Sequence, residues 1–225
     1  MTWIDVLDPY FMSMAIIYNH DEKRGQEQSF SKKTDNLKKQ RLRMNKFYII
    51  TGGPGVGKTT LLNMLAIESY EVVREVARDI IHEQKKRGGK GVPWKDNRLY
   101  TELMLHHSIE DYQVTQNRQY TKPVFFDRGI PDSLCHWVMS GNSITEEMKE
   151  ATQKYRYESI VFILPPWKEI YCTDEARKQN WEEAEYTYHK MTEVYKNYGY
   201  TLVIVPKDTP ENRKRFILNY IYKTE

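Results

Sequence analysis

Residues 49–60 read Ile49-Ile50-Thr51-Gly52-Gly53-Pro54-Gly55-Val56-Gly57-Lys58-Thr59-Thr60. Gly52, Gly57, Lys58 and Thr59 hold the fixed positions of G-x-x-x-x-G-K-[ST], a spacing that suits phosphate chemistry. Glycines let the backbone curl until its N–H groups point inward at phosphate oxygens. The lysine then reaches the β- and γ-phosphates, and the following hydroxyl holds Mg²⁺. Context decides whether the motif is meaningful. Phe47 to Ile50 is a short apolar run suited to a buried strand. Thr59 to Glu68 carries Leu61, Leu62, Met64, Leu65 and Ile67, which line one face of a helix. Strand, glycine loop and helix are the setting the motif needs, so the whole of 52–60 (Gly52, Gly53, Pro54, Gly55, Val56, Gly57, Lys58, Thr59 and Thr60) is expected to cradle a nucleoside triphosphate.

Outward from this loop the chain alternates strand and helix. Strands are expected at 70–74, 123–127, 159–164 and 201–205, and helices at 76–86, 97–120, 131–139, from a Ser143-x-x-Glu146 capping box, at 174–198, and after Thr209-Pro210. Such alternation implies an α/β fold, a five-stranded parallel sheet flanked by helices on both faces, with ligands at the carboxyl ends of the strands.

The 225 residues suit one such domain, and 40% hydrophobic with 29% charged residues is ordinary for a globular protein. The net charge of +3 is too small to imply nucleic acid. Two cysteines, Cys135 and Cys172, form neither a metal motif nor a disulfide framework, which fits a reducing cytoplasm. No apolar run approaches a membrane span, and Asp5 and Asp8 stand where a secretory signal would be basic. The domain begins at Lys46. Residues 1–45 form an N-terminal extension whose second half is polar and aperiodic, reading as linker or disorder. Either Met44 is the true start, or 1–20 is an amphipathic helix that docks on the domain or on a protein partner.

Asp127 ends an apolar strand, from which a carboxylate shares the Mg²⁺ with Thr59. Arg128 occupies the next position, where hydrolytic motors place a water-positioning glutamate. An arginine there clamps an anionic or phosphorylated substrate, which favours transfer to a bound acceptor over simple hydrolysis. Glu75, at the end of the second strand, is the candidate general base, with Arg78 a weaker candidate for the same cleft. Arg177 and Lys178 follow the fourth strand, where Arg177 could close over the triphosphate. His106 and His107 are expected to be structural, and the tyrosines from 186 to 200 to be packing residues.

With these residues in hand, the segment from about Lys46 to Ile221 resembles the small single-domain AAA ATPases related to the kinase domain of NadR, the ribosylnicotinamide kinase, within the P-loop nucleoside and nucleotide kinases. The resemblance rests on the loop, on Glu75-x-x-Arg78, on Asp127-Arg128-Gly129, and on the Arg177-Lys178 to Trp181-Glu182-Glu183-Ala184 stretch. It implies a lid near 172–185, the base at Glu75, substrate and metal contacts at Asp127 and Arg128, and Arg177 in the lid. No second domain or sensor-like arginine motif is seen, so a hexameric motor is not expected. The expected activity is a cytoplasmic Mg²⁺-dependent kinase using ATP (or GTP, since no guanine signature decides) on a small hydroxyl-bearing, nucleoside-like acceptor. The rival expectation is a nucleotide-dependent binding or regulatory module with slow hydrolysis.

Overall fold

The computed structural model describes residues 45–170 and 180–223. Five strands form one parallel sheet: β1 (Phe47–Gly52), β2 (Glu71–Val73), β3 (Val124–Asp127), β4 (Ile160–Leu164) and β5 (Thr201–Ile204). Their order is β2-β3-β1-β4-β5. The helices are α1 (Lys58–Ile67), α2 (Ala77–Lys86), α3 (Asn97–Gln116), α4 (Ile130–Met139), α5 (Glu146–Lys154), α6 (Trp181–Asn197) and α7 (Pro210–Lys223).

Side chains alternate across a strand, and here both faces are apolar. Tyr48, Ile50, Phe125, Phe162, Leu164 and Val203 meet Leu61, Leu62 and Leu65 of α1 and Ile217 and Ile221 of α7. Phe47, Ile49, Val124, Phe126, Val161 and Ile163 meet residues of α3 to α6, among them Tyr112, Leu134, Met148 and Tyr195. Ile49 and Ile50 are wholly buried on opposite faces, each contributing about 1.5–3 kcal/mol of burial. The phosphate loop is thus anchored by the most enclosed strand of the sheet.

All five expected strands are present, and the differences lie at helix ends. α3 stops at Gln116, with Asn117 as its C-cap, short of the expected 120. Its buried residues include Tyr100, Thr101, Met104, Leu105 and Tyr112, and Tyr100 and Met104 meet Ala77 and Ile80 of α2. The helix expected from Ser143 starts at Glu146. Thr145 is its N-cap, its hydroxyl accepting from Met148 N, while the Ser143 carbonyl accepts from the Trp137 indole. Asp96 caps α3, its Oδ1 accepting from Leu99 N at 3.0 Å. Residues 171–179, which include Arg177, Lys178 and most of the expected lid, lie outside the described residues, as does 1–44. α6 itself opens on a reciprocal cap: Asn180 Oδ1 accepts from Glu183 N, and Glu183 returns to Asn180 N.

Candidate active site

Strand order puts the chemistry beside the loop. β3 pairs directly with β1, with Ile50 opposite Asp127, and Arg128 N donates to Ile50 O at 3.1 Å. β2 lies next, so Glu75, two residues past its end, reaches the same carboxyl edge. On the other side Gly52 pairs with Leu164, and a Cβ on Gly52 would sit 2.6 Å from the Leu164 carbonyl oxygen. Gly55 and Gly57 take φ of 78° and 87°, in the left-handed region that favours glycine. The loop is therefore shaped by backbone crowding on one side and left-handed turns on the other.

Lys58 is buried and folds back on the loop, its Nζ donating to Gly52 O at 2.7 Å and Gly53 O at 2.9 Å. Burial, with the Arg128 charge adding to it, brings its pKa down to about 8 against the pull of Glu75, Asp127 and Asp132. Arg128 carries a φ of 71°, unusual for a side chain of this size. Such a conformation costs about 1–3 kcal/mol and persists only where the surroundings impose it. Here they do: its Nε donates to Glu75 Oε1 at 2.6 Å and its Nη1 to Asp132 Oδ1 at 3.2 Å. Burial works against the guanidinium charge, but Glu75, Asp132 and Asp127 outweigh it, so Arg128 holds its proton more firmly than usual. Burial likewise pushes the Glu75 carboxyl up, and the Arg128 and Lys58 charges then bring it below its ordinary value. Glu75 is ionised. Asp127 is different: burial raises it and the Lys58 charge only partly offsets this. Its Oδ1 is buried with no hydrogen-bond partner.

The residue sequence reasoning missed is Asp132. Only 5% exposed, it accepts Thr51 Oγ1 at 2.6 Å, Gly129 N at 2.8 Å, Arg128 and the Tyr195 hydroxyl. It ties the phosphate loop, the β3 end and α6 to one carboxylate. A signal was available in Asp127-Arg128-Gly129-x-x-Asp132, since an acid at the third position of a helix caps its start. Tyr195 had no such signal and read as packing. Gly129 is required by space: a Cβ would meet Ile49 Cδ1 at 2.4 Å.

Of the expected site residues, the structure brings Lys58, Glu75, Asp127 and Arg128 together. Thr59 is exposed at the start of α1. Arg78 is exposed, and it adds only its charge near Glu75. Arg74 pairs with Asn63 rather than with Glu75. His106 and His107 face Glu110 on their own helix, a structural arrangement as expected. A small cleft opens beside the four, walled by Glu75, Asp127, Arg128, Asp132, Asp111, Ser133 and the apolar Val73, Met104, Phe126 and Tyr157. The buried Ser133 Oγ in its wall has no partner.

The residues fit a divalent ion and a polyphosphate. Asp127 carries an unpartnered buried oxygen at the edge of the loop, which is what a hard cation takes directly or through water. Among the described residues no group of three or more His, Cys, Asp or Glu could hold a metal ion; Mg²⁺ commonly binds through one or two protein oxygens plus phosphates.

This arrangement defines a P-loop NTPase fold. A family model described as an AAA domain matches residues 47–213, and the chain belongs to that family. No curated protein matches the sequence. Among solved structures, a NadR protein in complex with NR superposes with a TM-score of 0.61 at 15% identity, covering 81% of this chain and 52% of that one. A NadR protein in complex with NAD and AMP-PNP gives 0.58 at 16%, covering 81% and 50%. This chain therefore spans about half the length of the NadR chains. Thymidylate kinase from Ehrlichia chaffeensis gives 0.53 at 14%, covering 79% and 99%. At these identities the likeness is one of fold.

Proposed function

We propose that this protein is a Mg²⁺-dependent kinase that moves the γ-phosphoryl group of ATP to a hydroxyl of a small, nucleoside-like metabolite in the cytoplasm. The observation that carries the reading is the meeting of Lys58, Asp127, Glu75 and Arg128 at one sheet edge, beside a cleft that the last three line with Asp132 and Ser133. A NadR protein of similar fold solved in complex with NAD and AMP-PNP supports the choice of ATP as donor, with GTP the alternative.

Lys58 and the loop N–H groups hold the β- and γ-phosphates, and Thr59 and Asp127 hold Mg²⁺. Mg²⁺ held by Thr59 and Asp127 would supply positive charge to the phosphates. Glu75, ionised and fixed by Arg128, accepts a hydrogen bond from the acceptor hydroxyl and orients it in line. A carboxylate of low basicity suffices, because a loose phosphoryl-transfer transition state asks for positioning more than for deprotonation. Arg128, anchored by Glu75 and Asp132, presents positive charge to the transferring group. Arg177 is assigned to the lid on the resemblance alone. Residues 1–45 are left as an extension that a protein partner reads.

The test is transfer from γ-labelled ATP with Mg²⁺ into pooled nucleosides and pyridine ribosides. Labelled product that Lys58→Ala and Glu75→Gln each abolish supports the kinase and the two roles. Tight nucleotide binding with no labelled product and only slow phosphate release points instead to a nucleotide-loaded binding module.

A further inference from the structure

Behind the loop, on the side away from the acceptor cleft, α7 buries an arginine. Arg213 is 2% exposed. Its Nη1 donates to Val56 O at 2.8 Å, and a Cβ on Gly57 would lie 2.8 Å from that same nitrogen. The Trp167 ring covers the guanidinium, with its centroid 5.7 Å away. Nε and Nη2 are buried and make no hydrogen bond, and no carboxylate among the described residues pairs with this cation. Burial alone acts on its ionisation, lowering it.

A guanidinium stays charged inside a protein, and a buried charge without a partner is costly. As packing, a methionine would serve better. What the arginine does provide is a grip on one peptide unit. Val56 C=O and Gly57 N–H belong to the same planar amide, and no peptide bond among the described residues is cis. A donor pulling the carbonyl toward α7 turns the Gly57 N–H to the opposite side, into the loop where a phosphate sits. The bond also polarises that N–H. The charge itself lies one amide away from the phosphate position, in low dielectric, where its field is weakly screened.

We infer that Arg213 is a positioning residue for the triphosphate: it orients the Val56–Gly57 amide from behind, and its buried charge finds its counter-charge in the bound polyphosphate. The inference rests on the nucleotide-binding part of the function proposed above and not on the transfer step. It reads polyphosphate and is indifferent to base and acceptor.

The test is calorimetric titration of ATP, and of inorganic tripolyphosphate as a base-free probe, with Mg²⁺ and without any acceptor. Failure of phosphoryl transfer would therefore leave the result interpretable. Arg213→Met should raise the Kd of both ligands about tenfold or more, while the free protein melts within a few degrees of wild type or above it. Arg213→Lys, which returns the charge, should recover most of the loss. Wild-type affinity in Arg213→Met overturns the inference. So does a large fall in melting temperature together with no rescue by lysine, since that describes a purely structural arginine. Should Arg213→Met not fold, Arg213→Gln decides: it keeps a donor for Val56 and drops the charge, and it must lose affinity for both probes. Unchanged binding by that variant counts against the role.

Discussion

Replacing Asp132 by asparagine changes one atom and should be among the most damaging isosteric substitutions in this protein. All four groups that meet the carboxylate are donors: Thr51 Oγ1 and Arg128 Nη1 at Oδ1, Gly129 N and the Tyr195 hydroxyl at Oδ2. An asparagine has one oxygen. Turned one way, its NH₂ faces Thr51 and Arg128; turned the other, it faces Gly129 N and Tyr195. The hydroxyls can rotate and accept, but a guanidinium and a backbone N–H have nothing to accept with. One buried donor is therefore stranded in either orientation, and the charge pairing Arg128 is lost. A stranded buried donor costs about 1–3 kcal/mol, and removal of one member of a buried ion pair up to about 3–5 kcal/mol. Glu75 still pairs with Arg128, so the expected destabilisation is near the middle, about 2–4 kcal/mol. For a domain of this size that is about 5–15 °C in melting temperature. Calorimetry or urea unfolding of Asp132→Asn against Tyr195→Phe checks it, the latter removing a single donor and expected to cost about 1 kcal/mol. An Asp132→Asn protein that melts with wild type, or a Tyr195→Phe that is the worse of the two, would refute the acceptor-only account of this carboxylate.

Two further outcomes follow from the site. Asp127→Asn should leave Mg²⁺-free nucleotide binding nearly intact while removing most of the tightening that Mg²⁺ gives, a difference read by titration with and without the ion; equal tightening in both proteins would take Asp127 out of the metal site. His136, whose Nδ1 lies 2.8 Å from Thr101 Oγ1, is held below its ordinary pKa by burial and then by the Arg128 charge. Its unfolded form protonates first as pH falls, so its contribution to stability is full above about pH 6.5 and is lost below it. His136→Gln should therefore flatten the decline in urea midpoint between pH 7 and 5.5, and an unaltered slope would exclude this histidine as its source.

The fold was legible because its signals are local and redundant. A phosphate loop between an apolar run and a helical face, followed by four more apolar runs separated by periodic segments, admits little besides a parallel α/β sheet, and the glycines at 52, 55 and 57 announce backbone shapes that other residues resist. Lys58, Asp127, Arg128 and Glu75 were legible for a related reason: Asp127 ends a strand, Arg128 and Glu75 follow strand ends within two residues, Lys58 follows β1 through the glycine loop, and parallel strands bring their carboxyl ends to one edge. Their partners were not. Asp132 and Arg213 were not singled out and Tyr195 read as packing, because nothing within a few residues of Tyr195 or Arg213 indicates what it will touch. Tyr195 lies 63 positions from Asp132, and Arg213 lies 157 from Val56. Local periodicity and strand-end placement therefore determined which residues meet at the sheet edge. Only the closure of helices over both faces of that sheet decided which buried charges and hydroxyls hold them there, since a buried polar group takes its partner from whatever the packing brings within reach.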